Sequence, residues 1–201
     1  MRNFEKKDFM YPEERMKISG FILAGGKSKR MGTDKALLIF QDEPLLKRMI
    51  GLIKPFCLKV CVSGQNPEYS VFNVDLIPDA IENCGPIAGL YSSLKYTSTE
   101  WNLIVSVDVP FVNEELISLL LINAYGCECV IPRHESGIEP LIAIYNKNSL
   151  PVIEEMINAG SYKLTDLISR LDTKFLDCSD LLQKYPRLFL NLNRMEDLQS
   201  L

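Results

Sequence analysis

The sequence predicts an α/β fold, a three-layer sandwich of helices around a mostly parallel central sheet. Three observations lead there. A short apolar run, Phe21-Ile22-Leu23-Ala24, stops abruptly at Gly25-Gly26, the pattern of a buried strand entering a loop. A nearly continuous apolar stretch from Trp101 to Val107 has the character of a central parallel strand covered on both faces. Around these two, strand-like runs alternate with segments of helical spacing. At 201 residues the chain fits one domain with a sizeable core.

Bulk composition narrows the function classes. A hydrophobic content of 47% and a charged content of 24% are ordinary for a soluble globular protein. The net charge of −4 gives no general attraction to nucleic acid or to an anionic membrane, so any phosphate recognition must be local. No apolar run approaches the roughly 20 residues that span a bilayer. Residues 1–16 lack the apolar core of a secretory signal, and a cytoplasmic location is expected. Cysteines stand at 57, 61, 84, 127, 129 and 178 without a C-x-x-C, and one histidine, His134, is too little for a Cys/His metal site. Cys57 and Cys61 could share a helix face, but their neighbours read as a helix end entering a strand. Cys127 and Cys129 would share one face of a strand. Reduced thiols of a cytosolic protein are the expectation for all six.

The elements follow in order. Residues 1–16 are charged and unpatterned and read as a flexible extension, in which Met10 or Met16 could equally be a start; residues 17–201 form the domain. Ala36 to Phe40 reads as a short strand, followed by the polar turn Gln41-Asp42-Glu43. Pro44 suits the first turn of a helix that places Leu45, Leu46, Met49, Ile50 and Ile53 on one side. Leu58 to Val62 is a second core strand, running into the turn formers Ser63-Gly64-Gln65-Asn66-Pro67. Val74 to Ile77 is a third, ended by Pro78-Asp79. Gly85-Pro86 opens a helix over roughly Ile87 to Tyr96. After the Trp101–Val107 strand, Asn113 caps a helix with Leu116, Ile117, Leu120 and Leu121 at helical spacing. Cys127–Ile131 and Pro140–Tyr145 are later strands around a polar connection, Arg133 to Glu139. Helices are expected near Ser149–Asn158 and Leu164–Leu171, then an edge strand over Phe189–Asn193 and a closing helix over Met195–Leu201.

In such folds the ligand sits beyond the carboxyl ends of the strands. That puts the Gly25-Gly26 loop, Ser63 to Asn66, Asp79 and Asp108 on one rim. The loop carries Lys27, Lys29, Arg30 and Lys35, and its amides with four nearby cations suit an anion. It is neither G-x-G-x-x-G nor G-x-x-x-x-G-K-[ST], since Thr33-Asp34 follows Gly32. A glycine-rich turn with solvated lysines is the plainer alternative, and Lys27 and Lys29 fit it. Lys35 offers a compact charge and Arg30 a fork for two oxygens. Asp108 is a solvated loop residue, a helix cap or a Mg²⁺ ligand, magnesium needing only one or two carboxylates beside phosphates and water. Asp79 is a turn aspartate or a site residue. Gly85-Pro86 either starts a helix packed closely on the sheet or presents amides to a ligand.

Residues Leu23, Gly25, Gly26, Ser28, Arg30, Met31, Gly32, Asp34 and Lys35 resemble the L-x-G-G-x-S-x-R-M-G-x-D-K signature of the molybdenum cofactor guanylyltransferases, within the larger group of Rossmann-like nucleotidyltransferases. Val107-Asp108-Val109-Pro110-Phe111 resembles the family's metal-bearing aspartate-x-proline motif, and Pro78-Asp79 and Gly85-Pro86-Ile87-Ala88-Gly89 resemble its P-D and G-P-L-A-G segments. Gly137 to Tyr145 is similar to its G-x-E-P-L-x-A-x-Y strand. Asn191-Leu192-Asn193 with Glu196-Asp197-Leu198 is similar to its N-x-N-T-P-E-D-L ending, although Arg194-Met195 replaces Thr-Pro; an edge-strand polar face explains the two asparagines as well.

The resemblance covers about residues 17–201 and implies transfer of GMP from GTP to the terminal phosphate of molybdenum-bound molybdopterin, with release of pyrophosphate. It implies Mg²⁺ on Asp108 and a catalytic set of Arg30, Lys35 and Asp108. The nucleotide would meet Leu23, Ala24, Gly25, Gly26, Lys35, Ser63, Asp79, Gly85, Pro86 and Asp108. The pterin would lie towards Glu139, Pro140, Asn191 and Asn193. Partners would be the two substrates, with at most transient contacts to other molybdenum-cofactor proteins or acceptor enzymes. Rivals are a same-fold transferase using another substrate, by cytidylyl transfer to molybdopterin or nucleotide transfer to a sugar or alcohol phosphate, and a non-catalytic nucleotide or cofactor binder. Many same-fold enzymes have Ala-Ala-Gly where this chain has Ala24-Gly25-Gly26, which favours guanine; retention of Lys35 and Asp108 argues against the non-catalytic reading.

Overall fold

A computed structural model describes residues 16–25, 34–81 and 83–192. Its strands are β1 (Ile18–Leu23), β2 (Ile39–Phe40), β3 (Glu43–Pro44), β4 (Lys59–Ser63), β5 (Asp75–Ile77), β6 (Trp101–Ser106), β7 (Cys129–His134), β8 (Gly137–Ile138), β9 (Ile142–Asn146) and β10 (Thr173–Asp177). The α-helices are α1 (Leu45–Ile53), α2 (Pro86–Tyr96), α3 (Glu114–Ile122), α4 (Leu150–Asn158), α5 (Leu164–Arg170) and α6 (Ser179–Lys184). The main sheet runs β10-β7-β9-β6-β1-β4-β5, with β8 beside β7. β5, β4, β1 and β6 are parallel, β9 is antiparallel to β6 and β7, and β10 is parallel to β7.

Alternation along the strands divides the core into two layers. Ile22 of β1, Leu103 and Val105 of β6 and Ile144 of β9 pack on α1, α3 and α6. Phe21, Ile104, Ala143 and Tyr145 face the other way and pack on α2, α4 and α5. This is the three-layer α/β sandwich expected, with β1 and β6 at its centre. Among the described residues no helix is long and apolar enough to cross a membrane.

Several elements differ from the expectation. Ala36 and Leu37 lie in a 3-10 turn (Lys35–Leu37), because the Asp34 side chain accepts the Ala36 amide at 3.0 Å and caps it. Only Ile39–Phe40 of that stretch is strand, paired with Glu43–Pro44 across a turn with φ of 49° at Gln41 and 69° at Asp42. Both values are positive, as a tight two-residue hairpin requires. Pro44 therefore ends β3, and α1 begins one residue later. The Cys127 thiol turns back toward the Ala124 carbonyl at 3.6 Å, so Cys127 precedes β7 and shares no strand with Cys129. Within the polar connection Arg133–Glu139, β7 continues to His134 and folds back as β8. Phe189 to Leu192 forms no strand; β10 occupies the sheet edge beside β7, and the Leu192 amide donates to the Asp108 carbonyl instead. Residues 1–15, Asn193 and the expected helix 195–201 lie outside the described residues.

All six cysteines are reduced, none of them in a disulfide. Burial pushes Cys57 and Cys129 up to about 12 and Cys61 and Cys178 up to about 11, which keeps these four protonated at neutral pH.

The packing of β1 on α1 leaves no room at Gly20. A Cβ there would lie 2.7 Å from Cys57 Sγ and 2.8 Å from Ile53 Cδ1. Gly20→Ala should lower unfolding free energy by about 1–3 kcal/mol through overpacking. Gly51, with nothing within 4 Å of its Cβ position, should tolerate alanine and gain up to about 1 kcal/mol from helix propensity. Urea denaturation of both variants checks the contrast.

Candidate active site

The site begins where four parallel strands end. Leu23 of β1 pairs with Ser63 of β4 and Ser106 of β6, and Ser63 pairs with Ile77 of β5. The next residues continue the ladder: the Ala24 amide donates to the Ser63 carbonyl at 2.9 Å, Gly64 to Ile77 at 3.0 Å and Val107 to Leu23 at 3.1 Å. Four exit segments thus leave the sheet on one row.

On one side of β1 they enclose a cleft of about 770 Å³ lined by Ala24, Gly25, Asn66, Asp79, Gly85 and Pro86, among others. That volume suits a nucleotide-sized ligand. Ser63, 1% exposed, donates its hydroxyl to Asp79 Oδ1 at 3.0 Å and fixes that carboxylate at the cleft wall. Gly25 makes the arrangement possible, since a Cβ there would lie 3.3 Å from Asp79 Oδ2. Gly85 adopts φ 70° and starts α2 without a side-chain cap at the same wall.

On the other side stands Asp108, two residues beyond the end of β6. Ser106 Oγ donates to its Oδ1 at 2.6 Å, and Lys35 Nζ lies 3.6 Å from its Oδ2. The two side chains of the ion pair are 19% and 18% exposed, so the charges meet at a half-open rim. Arg48 supports the following loop by donating Nε–H to the Pro110 carbonyl at 2.9 Å.

Asp34 joins the two halves. Its Oδ2 accepts from Asn66 Nδ2 and from the Tyr69 hydroxyl, both at 2.7 Å, while its Oδ1 caps the turn that begins with Lys35. Burial, and then the bond to Asp34, raise the Tyr69 hydroxyl far above its ordinary range, so it stays a donor.

Most of the residues singled out in the sequence thus meet. Ala24, Gly25, Asp79, Gly85 and Pro86 line the cleft, Ser63 supports Asp79, buried Leu23 ends β1, and Lys35 meets Asp108. Glu139 and Pro140 stand before β9, at the carboxyl end of β6, since the Ser106 amide donates to the Leu141 carbonyl at 2.8 Å. Asn191 is exposed beside Leu192, whose amide donates to the Asp108 carbonyl at 2.8 Å. Gly26, Arg30 and Asn193 lie outside the described residues. The tie from Asp34 to Asn66 and Tyr69 was missed; the polar turn after Ser63 placed Asn66 on the rim but nothing in it named a partner.

A family model, the MobA-like NTP transferase domain, matches residues 20–174. The chain belongs to the MobA-like NTP transferase family. Within it, a probable molybdenum cofactor guanylyltransferase from Flavobacterium johnsoniae is 34% identical, the match covering 81% of this chain and 86% of the relative. One from Methanosarcina mazei is 32% identical over 98% of this chain and 95% of the relative. The crystal structure of molybdopterin-guanine dinucleotide biosynthesis protein A from Archaeoglobus fulgidus has the same fold, with a TM-score of 0.77 at 24% identity, over 90% of this chain and 95% of that one.

The network around Asp34 yields a direct test. Asp34→Asn keeps the shape but removes the charge and turns one acceptor into a donor facing the Tyr69 hydroxyl or Asn66. It should cost about 1–3 kcal/mol in urea unfolding, the range for disrupting a buried hydrogen bond to a charged group. An unchanged midpoint would mean that the network contributes nothing to the rim.

Proposed function

We propose that the chain transfers GMP from GTP to the terminal phosphate of molybdenum-bound molybdopterin, forming the guanine dinucleotide cofactor and pyrophosphate. The observation that carries this reading is the shared rim. A nucleotide-sized cleft with a fixed carboxylate, Asp79, opens beside a separate lysine–carboxylate pair, Lys35 and Asp108. The names of its relatives supply the substrates.

Oxygen of the pterin phosphate attacks the α-phosphorus of GTP; that P–O bond forms as the bond to pyrophosphate breaks. Both reactants are anions, so the work is positioning and charge neutralisation rather than proton transfer. In this reading GTP lies in the cleft, with the Asp79 carboxylate at the nucleoside end, and Lys35 faces the phosphates. Arg30 and Gly26 of the loop would add a cation and a close main-chain approach.

Asp108 fits a magnesium ion on the chemistry of its oxygens. It is a hard donor whose Oδ2 meets Lys35 only at 3.6 Å, longer than a hydrogen bond. No group of three or more acidic, histidine or cysteine side chains that could hold a metal occurs among the described residues. A single carboxylate is a sufficient protein ligand for magnesium when substrate phosphates and water complete the shell. When bound, the ion would supply positive charge that offsets the negative charge of the substrate phosphates. Glu139, Pro140, Asn191 and Asn193 are assigned to the pterin side. The reaction belongs in the cytoplasm, where GTP is supplied, and delivery of the product would need transient contacts with acceptor enzymes.

One assay tests the reading: product formation from molybdenum-loaded molybdopterin with GTP or CTP and Mg²⁺. GTP should be used and CTP not; the reverse would overturn the guanylyl assignment and leave the fold intact. In the same assay Asp108→Asn should lose about 100-fold or more in turnover, the equivalent of the few kcal/mol of charge stabilisation that a metal supplies. Near-parental turnover would remove Asp108 from the reaction.

A further inference from the structure

The chain has one histidine, and no step above uses it. His134 stands at the end of β7, where the hairpin turns into β8. The Ser136 amide donates to its Nδ1 at 3.3 Å, so the proton of the neutral imidazole resides on Nε2. Nε2 then donates to Glu139 Oε1 at 3.0 Å. The ring also stacks on Phe189, with centroids 4.9 Å apart and planes 11° apart. A hairpin closed only by its own turn needs neither of these contacts.

Both partners lead to Asp108. Glu139 lies two residues before Leu141, whose carbonyl accepts the Ser106 amide at 2.8 Å. Phe189 opens the short segment that carries Asn191 and ends with the Leu192 amide on the Asp108 carbonyl at 2.8 Å. One largely buried imidazole, with a side chain 10% exposed, therefore holds a carboxylate and a chain segment together next to the transfer rim. Glu139 is 28% exposed, and its Oε2 accepts no hydrogen bond among the described residues. A carboxylate oxygen in that state suits a ring edge rich in N–H donors, such as the aminopyrimidine edge of a pterin.

We propose that His134 is a positioning residue for the acceptor substrate: it fixes Glu139 for the N–H edge of the pterin and anchors the Asn191 segment beside Asp108. This rests on the guanylyl-transfer reading. It adds a residue that sets acceptor affinity while leaving GTP binding alone.

The test is steady-state transfer with each substrate varied, for the parent, His134→Phe, His134→Gln, Glu139→Gln and the double variant His134→Phe/Glu139→Gln. His134→Phe keeps the stack on Phe189 and removes the donor to Glu139. Its KM for molybdopterin should rise about tenfold, the scale of one hydrogen bond to a charged group. Its kcat at saturation, GTP affinity and melting temperature should stay near parental. His134→Gln, which restores an N–H donor, should recover part of the loss. Glu139→Gln should cost less in the His134→Phe background than alone, because the two side chains act as a unit. A parental molybdopterin KM in His134→Phe overturns the proposal, as does a loss shared equally with GTP affinity and melting temperature. An inactive parent would refute the reaction itself and the proposal with it; an active parent with an indifferent His134→Phe refutes the proposal alone.

Discussion

The site depends on strand register. Leu23, Ser63, Ile77 and Ser106 lie on one row across β1, β4, β5 and β6. A slip of one residue would move the exit segments apart and turn every side chain to the opposite core layer. Two apolar layers oppose such a slip, because Leu103 and Val105 pack on one set of helices while Ile104 packs on the other. The ladder extends one residue past the row, through the bonds of Ala24, Gly64 and Val107. The rim is therefore built on main-chain hydrogen bonds, which cost little reorganisation when charge develops in a reaction.

Charge is placed on that rim by two consecutive residues with opposite partners. Asp34 looks to the β4 exit, taking bonds from Asn66 and Tyr69, and Lys35 looks to the β6 exit and Asp108. The 3-10 turn that Asp34 caps lets neighbours in sequence diverge in this way. A chain with a net charge of −4 can thus hold a lysine at its carboxylate rim. It also separates the cleft beside Asp79 from the Lys35–Asp108 pair. β9 runs antiparallel to β6, which brings Glu139 and Pro140 to the carboxyl end of β6.

Legibility in the sequence followed burial. β1 and β6 are covered on both faces and stood out as apolar runs, and the ends of those runs located Gly25 and Asp108. α3 and its Asn113 cap were equally plain, the cap bond being local. β10 was missed because its edge position leaves Thr173, Lys174, Phe175 and Asp177 partly or fully exposed, without a clean apolar rhythm. The β2–β3 hairpin was hidden because Gln41 and Asp42 are less telling at positive φ than glycine. Long-range side-chain pairs left the weakest trace. Asp34 with Tyr69, and His134 with Phe189, are 35 and 55 residues apart, and no local pattern announces either contact.

The most direct measurement is a crystal structure of the protein with GTP and Mg²⁺. The guanosine should lie in the cleft bounded by Gly25, Asp79 and Gly85, with its phosphates directed to Lys35 and a metal on Asp108. A guanosine bound against His134 and Glu139, or phosphates directed away from Lys35 and Asp108, would contradict this placement.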